Sequence, residues 1–172
     1  IIDVNGTSES SLVNVPIREI DLKGAHVYAS FIDLYSYYGT DEVKRARWDG
    51  KPHIQREAPS LGGWNEAIRP EYRTVSDIEF SSEANKKYHQ MGFGTVMTHL
   101  PDGIARGTAA LITLGDQGNK NLVKSDAAAV YSFKKGSSRQ DYPSSLMGAT
   151  ALLRQSYYDA KWYEGLADKK EG

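Results

Sequence analysis

Alternation of apolar and polar residues marks two early stretches of the chain. Val15 to Asp21 alternates, His26 to Leu34 repeats the pattern with β-branched and aromatic side chains, and Lys23-Gly24 between them has the composition of a turn. Two strands are predicted. From Gly39 to Arg73 the pattern dissolves into charge, glycine and proline, as in Trp48-Asp49-Gly50-Lys51-Pro52 and Leu61-Gly62-Gly63-Trp64. Neither helical nor strand periodicity persists there, so a long loop is expected, and such loops are usually functional or disordered.

Periodicity returns at Ser81-Ser82-Glu83-Ala84. Serine is a good N-cap, Glu83 suits the positive end of the helix dipole, and Gly92 can end the helix near Met91. A strand from Phe93 to Leu100 follows at once. Strand, helix-bearing connection and apolar strand together predict a right-handed parallel crossover. Thr108 to Leu114 and Ala127 to Phe133, separated by the turn-rich Gly115-Asp116-Gln117-Gly118-Asn119, predict an antiparallel ribbon. Ser144 or Ser145 can cap a last helix in which Leu146, Ala149, Leu152, Leu153, Tyr157 and Ala160 share a face. The fold class expected is mixed α/β.

Composition narrows the function classes. The 172 residues, 40% hydrophobic and 25% charged, suit one domain with a core. Lys and Arg number 21 against 22 Asp and Glu, a formal charge of -1, so no basic field exists to collect phosphates, and neither nucleic acid nor a membrane is an expected partner. Without cysteine there is no disulfide, thiolate metal site or cysteine nucleophile, and the compartment stays open. No apolar run approaches the roughly 20 residues of a spanning helix. The chain starts at Ile1-Ile2-Asp3 without methionine, so a processed, excised or truncated piece is expected.

Four segments in order resemble the metal-dependent amidohydrolase superfamily, and in particular its imidazolonepropionase-like branch. Lys23-Gly24 through Phe31-Ile32-Asp33 is similar to that superfamily's first barrel strand, Gly-Lys-x-Val-x-Pro-Gly-Phe-Ile-Asp. Trp64 to Glu71, with Met91-Gly92-Phe93-Gly94-Thr95-Val96, resembles the approach to the second strand. Pro101 to Ala110 resembles the branch's glycine-rich ribbon, and Pro143 to Arg154 its Met-Gly-x-x-Ala-Leu-Leu-Arg helix. The resemblance implies a (β/α)₈ TIM barrel beside a small β-sandwich, with the site at the C-terminal ends of the barrel strands. A whole barrel takes about 250 residues. The chain is therefore expected to hold the first βα units with a β-ribbon. Residues 1–24 would be a sandwich remnant, 25–163 the N-terminal barrel portion and 164–172 a frayed tail.

In that superfamily the first strand continues into His-x-His, which helps hold one or two divalent metals, typically zinc. The metal generates hydroxide for hydrolysis of amide or cyclic amide C–N bonds. Here Tyr35 and Tyr37 stand where those histidines would be. Residues i and i+2 of a strand share a face, so the tyrosines keep the geometry of the pair. They lose its ligand chemistry, because a phenol with a pKa near 10 is a poor neutral-pH ligand while imidazole is available. Packing of both rings at the barrel mouth is the expectation, and these are degenerate metal-ligand positions.

Asp33 matches the Asp preceding the superfamily's first histidine and is expected to support the strand. His99, near the end of the second predicted strand, is the best lone candidate for a polar site residue, and Asp102 beside it makes an acid/base pair conceivable. Asp102-Gly103 and Arg106-Gly107 otherwise read as turns. His26, His53 and His89 have no partner at metal spacing. The eleven tyrosines and Trp48, Trp64 and Trp162 are scattered, and those around Tyr157, Tyr158 and Tyr163 are expected in the core. Phosphate-loop, nucleophile-elbow, His-Glu-x-x-His and EF-hand patterns are missing, and Lys134-Lys135-Gly136-Ser137-Ser138 reads as a solvated basic turn.

The expectation is a piece of an amidohydrolase-like protein, with no catalytic residue assigned and no cofactor of its own, not catalytic alone. The alternative is a non-catalytic pseudoenzyme domain with a structural or partner-binding role. The expected partner is the rest of a larger polypeptide or a second copy, because half a barrel leaves sheet edges and apolar helix faces uncovered.

Overall fold

The computed structural model describes residues 20–45, 47, 49, 51–54 and 65–167. Among them lie strand β1 (Phe31–Ser36), helix α1 (Ser82–Gln90), strand β2 (Phe93–Thr98), strand β3 (Ala105–Thr113), strand β4 (Leu122–Tyr131) and helix α2 (Leu146–Ala167). The sheet runs β1-β2-β3-β4, with β1 parallel to β2 and the later pairs antiparallel. This is a mixed four-stranded α/β unit with the expected parallel crossover and ribbon.

Helix α1 begins where its cap chemistry places it. The Ser81 side chain accepts from the Ala84 amide at 3.3 Å, Glu83 sits in the first turn, and Gly92 follows at φ 88°. Its packing is unusual for an amphipathic helix, because its buried residue is Asn85. The amide earns that place by bonding: Asn85 accepts from the Tyr38 hydroxyl at 2.6 Å and donates to the Gly115 carbonyl at 3.0 Å. Around this pair Tyr38, Val96, Ile112 and Leu114 form one apolar cluster, joined by Ile78, Phe80, Tyr88 and Phe93.

A second cluster of Ala67, Ile104, Ala149 and Leu152 seats the first half of α2. The second half does not follow the expected face. Tyr157, Tyr158, Trp162 and Tyr163 are exposed, Trp162 at 68%, as is Leu146. The aromatic residues assigned to the core by their helical spacing therefore lie outside it, because no described element covers that end of the helix.

The first strand is shorter than its pattern. His26 to Ser30 are irregular, and β1 begins at Phe31, where Phe93 becomes its partner. Lys23 and Gly24 form the expected turn, both with positive φ. Of the strand expected from Val15 to Asp21 and the sandwich assigned to residues 1–24, only residues 20–24 are described, and they are irregular up to the turn. The long excursion from Gly39 to Arg73 is irregular where described, apart from isolated parallel bridges of Ile68 to Ala105 and of Arg73 to Thr108, and a short 3-10 turn at Thr74–Ser76 follows it.

Strand β3 carries a bulge that matters for the site. Ala105 pairs with Tyr131 and Thr108 with Ala129, so Arg106 and Gly107 together oppose Val130. Gly107, at φ 72°, also lies under the Tyr72 carbonyl, and a Cβ there would stand 1.9 Å from that oxygen. The extra residue bends the strand and re-aims a side chain. It turns Arg106 inward, to 3% exposure. Arg106-Gly107 is thus an interior bulge of a strand, in place of the expected turn.

Candidate site at the C-terminal ends of β1 and β2

Because β1 and β2 are parallel, their C-terminal ends share one edge of the sheet. The His99 amide donates to the Ser36 carbonyl at 3.1 Å and ties the two ends together. Tyr35 and Tyr37 flank the imidazole of His99, with ring centroids 4.5 and 5.0 Å away. Their own rings meet edge to face at 5.7 Å, and the Tyr37 hydroxyl donates to the Tyr35 oxygen at 3.4 Å.

Arg106 closes the group. Its Nε donates to the Gly103 carbonyl at 3.0 Å, while Nη1 lies 3.3 Å from the Tyr35 hydroxyl and 3.3 Å from His99 Nε2. Guanidinium can only donate, so Nε2 accepts and the imidazole carries its proton on Nδ1. Burial pushes the His99 pKa down to about 4, with the Arg106 charge adding to the effect and Asp33 opposing it. His99 is neutral here. The residue is 1% exposed.

The two phenols ionise as a pair. A Tyr37 phenolate would be stabilised by the Tyr35 hydroxyl donating to it. That bond lowers the Tyr37 pKa, with Arg106 and Lys134 helping, and raises that of Tyr35.

The other sequence candidates are placed differently. Asp33, on β1, accepts from the Tyr35 amide at 3.0 Å and holds the strand end locally. Asp102 does not bond to His99: its carboxylate accepts from the Ser137 amide and hydroxyl, both at 2.7 Å, and pairs with Arg69 at 2.7 Å. It anchors the loop after β4, where a Cβ on Gly136 would stand 1.9 Å from Asp102 Oδ1. His26 lies beside Tyr28, His53 meets Asp49 at 2.9 Å, and His89 is in the last turn of α1. Trp48 and Trp64 lie outside the described residues.

The donor set does not fit a divalent cation. A metal between Tyr35, Tyr37 and His99 would face the Arg106 guanidinium and compete with it for His99 Nε2. Among the described residues no three His, Cys, Asp or Glu side chains are grouped as metal ligands.

A cavity of about 400 Å³ opens beside the cluster, lined by Tyr37, Val43, Pro101, Arg106 and Lys134, with Asp41, Glu42 and Arg45 also on its wall. Sequence reasoning missed Arg106. The signal that could have found it is a glycine directly after an arginine inside an otherwise apolar run, which is the mark of a bulge.

The fold and the site together define a mixed α/β unit whose polar cluster gathers at the C-terminal ends of two parallel strands. By sequence the chain matches no family profile and no curated protein. In fold it is similar to the crystal structure of an amidohydrolase from Thermotoga maritima MSB8, with a TM-score of 0.58 and 18% identity. The likeness covers 90% of this chain and 42% of that one. At this identity it is a likeness of fold, and the chain spans less than half the length of that protein.

Proposed function

We propose that the chain is an amidohydrolase-like barrel portion, of the imidazolonepropionase-like kind, whose metal position has become a guanidinium-centred hydrogen-bonded cluster. The observation that carries this reading is Arg106 set between Tyr35 and His99 at 3.3 Å from each. A fixed organic cation occupies the ground where the resembling family would place an inorganic one. Charge at the strand ends is retained, but a guanidinium without an open coordination position cannot lower the pKa of a bound water as zinc does. The chain is then not a C–N hydrolase by itself.

On this reading residues 25–163 supply the first βα units of a (β/α)₈ barrel, 1–24 belong to a small β-sandwich, and 164–172 form a tail. Its role is structural, as a platform for the rest of a larger polypeptide or for a second copy. Exposed apolar side chains support that part: Phe31, Ile32 and Leu34 on the edge strand, and Tyr157, Trp162 and Tyr163 on α2.

The test is metal content by elemental analysis after purification without chelator, with an assay of amide hydrolysis in added zinc. Substoichiometric metal and no turnover are expected. One bound zinc, manganese or iron per chain, lost in Tyr35→Phe/Tyr37→Phe, would overturn the proposal.

A further inference from the structure

We infer that the cavity beside Tyr37 is a binding site for a small organic carboxylate, with Arg106 as its principal anchor. Arg106 is 3% exposed yet lines the cavity, and among the described residues no carboxylate lies within ion-pair distance of it. A buried cation without a counterion is costly, and its protein partners here are a carbonyl, a phenol and an imidazole, all neutral. An anion entering the cavity would supply the missing charge.

The remaining lining residues set the class of anion. Lys134 and Arg45 add positive charge to the cavity lining. Val43, Pro101 and the Tyr37 ring offer apolar surface, which suits a carboxylate on a small organic body better than a fully hydrated inorganic ion. Asp41 and Glu42, exposed on the cavity lining, penalise multiply charged anions. This goes beyond the proposed loss of the metal site, since a metal-free chain could equally have filled the cavity with side chains.

The probe is benzoate, titrated into the full chain and followed by backbone amide shifts in NMR, with benzamide and inorganic phosphate as separate arms. Benzoate is expected to bind saturably, about tenfold or more tighter than its neutral isostere benzamide and tighter than phosphate. Arg106→Gln should abolish the benzoate shifts, Lys134→Gln should weaken binding about two- to fivefold, and Asp41→Asn should tighten it. Should Arg106→Gln fail to fold, the opposite effects of the two exposed variants decide. Equal binding of benzoate and benzamide, preference for phosphate, no saturable binding, or indifference to Lys134→Gln and Asp41→Asn would each overturn the inference. Metal binding is read separately, so either proposal can fail without the other.

Discussion

Arg106 Nη1 and His99 Nε2 lie 3.3 Å apart, a permanent cation donating to an imidazole that burial, with the cation's help, keeps neutral. Replacing Arg106 with methionine should raise the His99 pKa from about 4 part of the way toward its ordinary 6.5. Recovery is partial, because burial remains the larger cause. An NMR titration of the His99 ring carbons checks this, and an unmoved pKa would show that Arg106 exerts no field on the ring.

The same group makes stability depend on pH in a defined window. His99 has a lowered folded pKa, so above about 6.5 both states leave it neutral and its burial is undisturbed. As pH falls from 6.5 toward 4 the unfolded chain takes up a proton that the folded chain refuses, and stability is lost at up to about 1.4 kcal/mol per pH unit. Urea midpoints at pH 7, 5.5 and 4.5 should decline, and His99→Gln should flatten that decline. Asp126 acts in a separate window. Its bonds with Arg73 and Thr108 hold its pKa down to about 2, so its contribution is present above the usual carboxylate range and disappears as pH falls toward 2.

Gly107→Ala should be among the most damaging single substitutions. Its added methyl would overlap the Tyr72 carbonyl at 1.9 Å, in a backbone region that L residues avoid. A loss of about 3 kcal/mol or failure to fold is expected, measured by thermal melting. Gly118→Ala is the control, since no atom lies within 4 Å of its Cβ although its φ is also positive.

Ser81→Ala should cost about 1 kcal/mol by removing the cap of α1, and Ser81→Asp should restore it. Chemical denaturation with both variants checks the pair. An alanine variant as stable as the parent would mean that Asn85 and Tyr38 hold the helix start without the cap.

The legible parts of this fold are those with local chemistry. Ser81, Glu83 and Gly92 announce α1, the apolar run after Gly92 announces β2, and the parallel pairing of β1 with β2 follows from the helix between them. Strand β4 shows what local chemistry hides. Its expected start was Ala127, yet it begins at Leu122, because Lys124, Ser125 and Asp126 interrupt the apolar pattern. Asp126 is satisfied in the sheet by Arg73 and by the Thr108 hydroxyl at 2.7 Å, partners distant in sequence. The site was legible in the same measure. Tyr35, Tyr37 and His99 stand out by strand position and meet around one ring, whereas Asp102 sits with Ser137 and Arg69. Arg106 is marked in the sequence only by the glycine that follows it, since its inward turn depends on the mismatch in pairing between β3 and β4 and on the close approach of the Tyr72 backbone.

The position of β1 in the sheet has a kinetic consequence. Strands β2 and β3 are bonded on both sides, whereas β1 is bonded only to β2 among the described strands. Amides on its outer side meet no other described strand, and edge strands are early to detach when a sheet breathes. Tyr35 therefore rides on a border strand, with Tyr37 just past its end, while His99 and Arg106 are held by the interior strands. Each transient detachment of β1 would part the phenols from the guanidinium and the imidazole, so the lifetime of the cluster is set by the fraying rate of one short strand.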